Sequence, residues 1–274
     1  MEHQENADVR SAHEPADLAP KPLERHLRVA IGLTPEGEPL ELDLKTYSDN
    51  GMGPHGMMIG TPGCGKREAL RGIVSGLAVS HTPEEVTFLL IDFKDGAGFE
   101  RFERLPHIRA IVRNLQWQPA MLDWIDYGIY AEFDKRQKLL AKGNFATRTE
   151  YENAREAGQP LNPLPSLLIV IDGFSDLIGE NPDFMSSLIN IGRLGRSLGV
   201  HMLLATDHLD FFRIRGLDGY LRYRIGMRTL SADESKMVMG VADAHELPDA
   251  PGHAYLRVGT DRMIRFRFSQ VDEP

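Results

Sequence analysis

The glycine-rich segment from Gly60 to Arg67 constrains the fold of this chain more than any other part of it. It reads Gly-Thr-Pro-Gly-Cys-Gly-Lys-Arg and matches the phosphate-binding loop G-x-x-x-x-G-K-[ST] everywhere except at Arg67, the last position. In such loops the glycines turn backbone N–H groups toward phosphates, the lysine reaches the β- and γ-phosphates, and the final hydroxyl ligates Mg²⁺. Arginine has no acceptor atom and cannot bind a metal. The loop therefore predicts nucleotide binding with a defect on the metal side.

The sequence around the loop predicts the strand–loop–helix context that phosphate binding requires. Gly56–Gly60 is an apolar strand candidate, and Glu68–Val79 has apolar residues at helical spacing. Apolar runs at 86–92, 167–172 and 201–206 lack alternation, which is typical of parallel strands covered on both faces. We therefore expect an α/β protein with a mostly parallel central sheet and flanking helices.

The rest of the chain predicts one domain behind a polar tail. Residues 1–25 are polar and proline-punctuated, which favours a disordered tail or linker, and the predicted domain covers residues 26–272. Leu27–Leu33 and Pro39–Leu44 predict an N-terminal β-hairpin around a turn. The last predicted strands show alternation and carry paired arginines; we expect them at the far edge of the sheet, and they span residues 220–229 and 254–268. Further helices are predicted at residues 120–141, 149–157 and 182–198.

Composition excludes several classes of protein. No apolar run approaches the roughly 20 residues of a membrane span, and the N-terminus lacks the pattern of a secretion signal. The single cysteine excludes an internal disulfide framework, so a reducing cytoplasm is the expected compartment. The formal charge of −9 repels a phosphate backbone, so DNA binding would need a local basic patch. Among the histidines, His55, His201 and His208 show no metal-ligand spacing and are interpreted as structural or surface residues.

Two groups of residues are candidates for the nucleotide site. Asp172 ends an apolar run, as the metal-side acid of a P-loop protein should, and is the single weak metal-ligand candidate. The next residue, commonly a glutamate that polarises the attacking water, is Gly173; Asp176 and Glu180 are better interpreted as solvated or helix-capping carboxylates. The predicted nucleotide-binding residues are Gly60, Thr61, Pro62, Gly63, Cys64, Gly65, Lys66, Arg67 and Glu68.

Arg67 and Cys64 each have two interpretations. The Arg67 guanidinium either enters the space of the missing Mg²⁺ and contacts phosphate, or it points to solvent or pairs with Glu68 or a carboxylate at the sheet edge. Cys64 is either a reactive thiol activated by the helix N-terminus or a small residue replacing serine. The paired arginines at 222/224 and 265/267 similarly form either an anion or subunit-contact face or a solvated strand face.

Several longer segments resemble the FtsK/SpoIIIE-type ATPase domains of EccC proteins of type VII secretion systems. The resemblance covers about residues 26 to 270 and rests on the segments Gly51–Gly56, Asp92–Ala97, Leu105–His107, Gly143–Phe145, Pro182–Phe184, Ile191–His201 and Gly216–Gly226. It implies a RecA-like P-loop fold, ATP bound between adjacent domains or subunits, and partners that are EccC-like ATPase subunits or secreted helical-hairpin substrates. It also implies a cytoplasmic domain that is recruited to a membrane secretion complex. Whether the domain forms a homo-oligomer stays open.

The family's catalytic pattern is broken at four places. Besides Arg67 and Gly173, the family's Ser-Gln-Arg-Leu sensor appears here as Thr206–Leu209, which puts Asp207 in place of the amide. Where the family has Val-Asp-Arg-Met, this chain has Leu122–Ile125 and no arginine. Losing one electrostatic partner typically costs about 10²–10³ in rate, so we expect ATP binding with impaired hydrolysis, doubtful Mg²⁺ binding and a structural or regulatory role. The alternative is an active FtsK-like motor that translocates DNA or protein.

Overall fold

The computed structural model describes residues 26–93, 98–114, 120–260 and 262–269. The predicted tail of residues 1–25 and residues 94–97 of the segment Asp92–Ala97 lie outside the described residues. The strands are β1 (Arg28–Leu33), β2 (Pro39–Asp43), β3 (His55–Ile59), β4 (Val86–Asp92), β5 (Ile108–Val112), β6 (Ser166–Asp172), β7 (Val200–Thr206), β8 (Tyr223–Met227), β9 (His253–Val258) and β10 (Arg262–Phe268). The α-helices are α1 (Lys66–Ser80), α2 (Ala120–Gly143), α3 (Arg148–Glu156), α4 (Phe174–Glu180), α5 (Met185–Leu198) and α6 (Ala232–Met239).

All of these strands join one mixed sheet in the order β2-β1-β10-β9-β8-β3-β7-β6-β4-β5. The strands from β8 to β5 are parallel to one another. On the other side of β8, the strands β9, β10, β1 and β2 pair antiparallel with their neighbours. The sequence prediction of an α/β fold with a mostly parallel central sheet is confirmed.

The N-terminal hairpin is confirmed, but the predicted position of the C-terminal strands is wrong. The described edges of the sheet are β2 and β5, whereas β8 lies between β3 and β9 in the interior. The stretch 254–268 is also two strands rather than one, since the chain turns at Gly259, which has a φ of 61°. The hairpin β9–β10 links the parallel half of the sheet to β1.

Two apolar cores cover the two faces of the sheet. On one face, Leu168 and Val170 of β6 pack in a cluster with α1; on the other, Ile169 and Ile171 pack in a cluster with α2, α4 and α5. Burying each large aliphatic side chain contributes about 1.5–3 kcal/mol. Double coverage explains why the strand sequences are apolar without alternation.

The register of the parallel strands brings the functional candidates together at the carboxyl ends of these strands. Ile59, the last residue of β3, is opposite Thr206 of β7. Asp172 is opposite Ala205 on one side and Asp92 on the other. Because ligands of open α/β sheets bind at the carboxyl ends of the strands, these strand ends are the expected place for a site.

Candidate nucleotide-binding site

The glycine-rich loop connects β3 to α1 and has the backbone conformation of a phosphate cradle. Gly63 and Gly65 have φ values of 85° and 90°, which disfavour any other residue. A Cβ atom at Gly65 would also lie 3.1 Å from the backbone nitrogen of Gly252. The Gly252 N–H donates to the Cys64 carbonyl at 2.9 Å, which ties the loop to the segment before β9. The loop conformation therefore requires these glycines and is stabilised by the segment before β9.

A cavity of about 580 Å³ lies over the loop and is large enough for a nucleotide. Seven of the nine predicted binding residues line it: Thr61, Pro62, Gly63, Gly65, Lys66, Arg67 and Glu68. Gly60 and Cys64 do not line it. A Cβ atom at Gly60 would come within 2.6 Å of the Cys64 Sγ, so this glycine makes room for the packing beneath the loop.

Lys66, the phosphate-binding lysine of the motif, is already engaged by a carboxylate. Its ammonium forms a close ion pair with Asp207, the residue after β7, and lies 3.5 Å from the Gly60 carbonyl oxygen. The Lys66 residue is only 8% exposed, so the pair is weakly screened by solvent. An incoming phosphate must therefore compete with a carboxylate of this chain.

Asp172 ends β6 at the floor of the same cavity and is 7% exposed. Burial raises the pKa of its carboxyl; Asp92 and Asp207 raise it further, whereas the charges of Lys66 and Arg67 oppose the shift. Asp92 accepts a hydrogen bond from the Gly98 N–H at 2.9 Å. The cavity lining thus places the carboxylates of Asp172 and Asp207 beside the cations Lys66 and Arg67.

Arg67 is half-buried on the carboxylate side of the cavity. Its charge acts on Asp172. Its Nε atom lies close to Gly98: a Cβ atom on Gly98 would be 3.9 Å from this Nε and 2.7 Å from the Asp92 Oδ2. This placement beside the carboxylates at the strand ends is compatible with both interpretations, contact with phosphate and pairing with a sheet-edge carboxylate. The described residues contain no group of three or more His, Cys, Asp or Glu side chains arranged to hold a metal ion.

Gly173, which follows Asp172, begins α4 in a left-handed conformation with φ 84° and ψ 31°. It contributes no side chain to orient water. Asp176 and His208 approach one another at 4.0 Å and line a different cavity, together with Glu180. Neither acidic candidate lines the nucleotide cavity, so the interpretation as non-catalytic carboxylates is consistent with the structure.

Restoring glutamate at this position is expected to strain the backbone. A Gly173→Glu variant should lose about 1–2 kcal/mol of unfolding free energy because a non-glycine residue is disfavoured in the left-handed region. The matched control is Gly219→Glu, where φ is not positive and no atom lies within 4 Å of the position that a Cβ atom would take. Urea unfolding measures both variants, and an equal loss in the two would contradict the strain argument.

Cys64 is a packing residue. Its thiol is buried and donates to the Met227 sulfur at 3.7 Å, and burial raises its pKa despite the opposing charge of Lys66. The burial of the thiol favours the second interpretation, a small residue replacing serine, because desolvation opposes activation by the helix N-terminus.

We expect the Cys64 thiol to react with a disulfide reagent at least about ten-fold more slowly in the folded protein than in urea, because it is buried and protonated. Stopped-flow absorbance with an aromatic disulfide gives both rates. Equal rates in the two states would show that the thiol is accessible and activated in the fold.

Sequence reasoning missed one wall of the cavity. This wall comes from the segment before β9 and the end of β10 and consists of Pro251, Gly252, Arg267, Phe268 and Ser269. Arg267 was noticed only as part of a paired-arginine pattern, and its partner Arg265 does not line the cavity. This wall contacts the loop through the hydrogen bond from Gly252 to Cys64, which are nearly 200 residues apart in the sequence. No local sequence motif predicts this contact. The segment Leu122–Ile125 lies on α2, where Trp124 is 56% exposed.

The chain also matches known proteins. The model of the FtsK/SpoIIIE family matches residues 16–215. EccC of Thermomonospora curvata, an ESX secretion system protein, is 48% identical over 256 residues, which cover 93% of this chain and 20% of that protein. The chain belongs to the FtsK/SpoIIIE family.

Other relatives of this FtsK/SpoIIIE domain are also secretion proteins. EccCa1 of the ESX-1 system of Mycobacterium tuberculosis is 39% identical over 87% of the chain and 33% of its own length. The chain thus spans about a fifth of the length of the first of these relatives and a third of the second. The solved cytoplasmic domain of the Thermomonospora curvata type VII secretion ATPase EccC superposes with a TM-score of 0.90 over 96% of this chain and 31% of that one.

More distant structures show the fold alone. The conjugation coupling protein TcpA in a form with ATPγS has a TM-score of 0.71 at 21% identity, over 90% of this chain and 67% of that one. The fold of this FtsK/SpoIIIE domain is thus that of the P-loop ATPases, and family membership implies nucleotide binding. Among the helices that the structure describes, none is long and apolar enough to cross a membrane.

Proposed function

We propose that this chain is an ATP-binding, hydrolysis-impaired domain of an EccC-type secretion ATPase, with a structural or regulatory role. The observation that carries the proposal is the altered chemistry around an intact cradle. Lys66 is paired with Asp207, Arg67 stands where a metal-binding hydroxyl is usual, and Gly173 offers no side chain.

The residues present fit a nucleoside triphosphate better than they fit its metal. Gly63 and Gly65 give the loop its positive-φ conformation at the cavity, and Lys66 lies at the N-terminus of α1, which favours anions. Arg67 can neutralise phosphate charge without Mg²⁺. Asp172 is the remaining metal-side acid, and the rise in its pKa works against its role as an ionised ligand. Bound ATP would supply the transferable γ-phosphoryl group, but the chain offers little to orient water toward it.

The comparisons also support a place for this domain in a larger protein. It is 48% identical to part of the solved cytoplasmic domain of Thermomonospora curvata EccC, but 20% identical to a structure of ATPases 2 and 3 of that protein. We infer that it corresponds to a part of EccC outside ATPases 2 and 3. Its proposed partners are neighbouring EccC-like ATPase domains or secreted helical-hairpin substrates, and its proposed location is the cytoplasm at a membrane secretion complex.

The experiment that tests this function is calorimetric titration of ATP with and without Mg²⁺. We expect binding in both conditions, with less than about a three-fold difference in Kd, and loss of binding in Lys66→Gln. Lys142→Gln at the end of α2 is the matched control, since this exposed lysine lies outside the cavity. An absence of ATP binding, or binding that requires Mg²⁺, would contradict the proposal.

A double variant tests the assignment of the lost groups. Arg67→Ser together with Gly173→Glu restores the hydroxyl and the carboxylate, and we expect more phosphate release than from the unchanged chain. Gly173→Glu alone should give no increase, since the metal side remains blocked by Arg67.

A further inference from the structure

A second cavity of about 440 Å³ lies at the amino ends of the parallel strands, whereas the nucleotide cavity lies at their carboxyl ends. It is built at the amino ends of the parallel strands, where Ser166 begins β6 and Gly199 precedes β7. Other walls come from the start of β1, the segment after β2, and the helices α3 and α5. Its volume falls in the range of small-molecule sites, and no residue of the nucleotide cavity lines it.

The lining of this cavity is strongly cationic. Arg28, Lys45, Arg148 and Arg196 line it, against the carboxylate of Asp49. Arg28 and Lys45 are partly neutralised by Asp43, at 3.1 and 3.0 Å. Within the described part of the chain, neither Arg148 nor Arg196 forms such an ion pair, although the charges of Glu152 and Glu156 on α3 act on Arg148.

Arg148 and Arg196 are held by neutral groups. Arg148 donates to the Leu164 carbonyl at 2.8 Å and to the His26 Nε2 at 3.1 Å, and burial lowers its pKa to about 10. Glu152 lies one turn further along α3, but its oxygens already accept from Arg155 and from the Leu164 N–H. Arg196 donates to the Ser48 hydroxyl at 3.2 Å. Both guanidiniums retain donors for an anion, since each carries five N–H groups.

Two histidines complete the cavity, and both are surrounded by positive charge. Burial lowers the pKa of His26, and the positive charges of Arg148 and Lys45 lower it further. Because its Nε2 accepts from Arg148, its proton lies on Nδ1, which is a donor. His26 therefore offers an N–H donor rather than a positive charge to this cavity.

His201 provides an acceptor on the same cavity. It is 3% exposed, and its Nδ1 atom has no hydrogen-bond partner among the described residues. Its other ring nitrogen hydrogen-bonds the Pro54 carbonyl, which fixes the proton on Nε2 and leaves Nδ1 with a lone pair. A buried polar atom without a partner is rare and points to a missing ligand group.

We propose that this cavity binds a phosphate monoester, either a soluble one or the headgroup of phosphatidic acid. The unprotonated phosphate oxygens accept from Arg148, Arg196 and His26. Phosphate monoesters carry a P–OH group in the monoanionic form, which predominates below a second pKa of about 6, and in that form the group donates to the His201 Nδ1. Sulfate has the same shape but carries no proton, so the cavity should prefer phosphate over sulfate.

Nuclear magnetic resonance of the histidine side chains tests this site separately from the nucleotide cavity. Titration of the full chain with inorganic phosphate should shift the imidazole nitrogens of His26 and His201, and sulfate should need at least about ten-fold higher concentration. Lys66→Gln should keep these shifts, because it changes only the nucleotide cavity. Absence of shifts, or equal affinity for phosphate and sulfate, would overturn the proposal.

Arg196→Gln supplies the matched variant. Arg196 and Arg193 are both exposed on α5, but Arg193 does not line the cavity. Arg196→Gln should weaken phosphate binding at least about ten-fold and Arg193→Gln should leave it unchanged; equal effects would contradict the site. Sedimentation with phosphatidic acid vesicles distinguishes the sources. Vesicle binding that inorganic phosphate competes away assigns the lipid headgroup, whereas histidine shifts without vesicle binding assign a soluble monoester.

Discussion

Replacing Asp207 by asparagine is expected to raise the affinity for ATP at least about ten-fold, which corresponds to about 1.4 kcal/mol. The reason is the ion pair that Asp207 forms with Lys66 inside the nucleotide cavity. A triphosphate must displace this carboxylate from the lysine and must also bind close to its negative charge. Asparagine removes the repulsion and frees the ammonium for phosphate. Calorimetric titration without Mg²⁺ measures the change.

A second aspartate on the same segment serves as the control for Asp207→Asn. Asp210 is half-exposed, pairs with Arg213 at 3.2 Å and does not line the nucleotide cavity. Asp210→Asn also removes one negative charge, so it should reproduce any effect of net charge alone. Equal gains in the two variants, or a loss of affinity in Asp207→Asn, would show that the pair with Lys66 does not oppose ATP binding.

The second large effect is expected on stability, at Arg136 in the middle of α2. This side chain is 1% exposed and pairs with Glu132 at 2.8 Å. It also donates to the carbonyls of Leu198, at 2.8 Å, and Pro165, at 2.8 Å. It therefore joins α2 to the segments that enter β6 and β7. Breaking a buried pair typically costs about 3–5 kcal/mol, and we expect Arg136→Met to lose that much unfolding free energy.

The control for Arg136→Met is Lys138→Met, two residues along α2. Lys138 pairs with Asp134 at 2.7 Å on the exposed side of the helix, where solvent screening leaves such a pair with little effect on stability. Urea denaturation followed by circular dichroism compares the two. A loss below about 1 kcal/mol in Arg136→Met would show that the buried network is not what holds α2 to the sheet.

The parts of the fold that were predictable from sequence are those with a local signal. The glycine-rich loop has a fixed spacing, and strands β4 and β6 are continuous apolar runs, so the cradle and Asp172 were placed correctly. Helix α4 is short and β5 has no turn signals of its own, and neither was predicted. The order of the strands depends on pairings between distant segments, which explains why β8 was misplaced at an edge.

The candidate site was predictable only in part for the same reason. Lys66 and Asp207 are 141 positions apart, and their ion pair follows from the register of β3 and β7 rather than from either local sequence. The wall that contains Arg267 requires the pairing of β10 with β9 and β1. The substitution at Asp207 could be seen in the sequence, but its contact with the phosphate-binding lysine could not.

The central claim is that this domain binds ATP without turning it over at the rate of a motor. Single-turnover hydrolysis tests it most directly, with the protein in excess over radiolabelled ATP and with Mg²⁺ present. Filter binding in the same samples confirms that the nucleotide is bound. We predict bound ATP with phosphate release no faster than in a parallel Lys66→Gln sample. Mg²⁺-dependent release at about 1 s⁻¹ or faster, in the range of typical enzymes, would contradict the account.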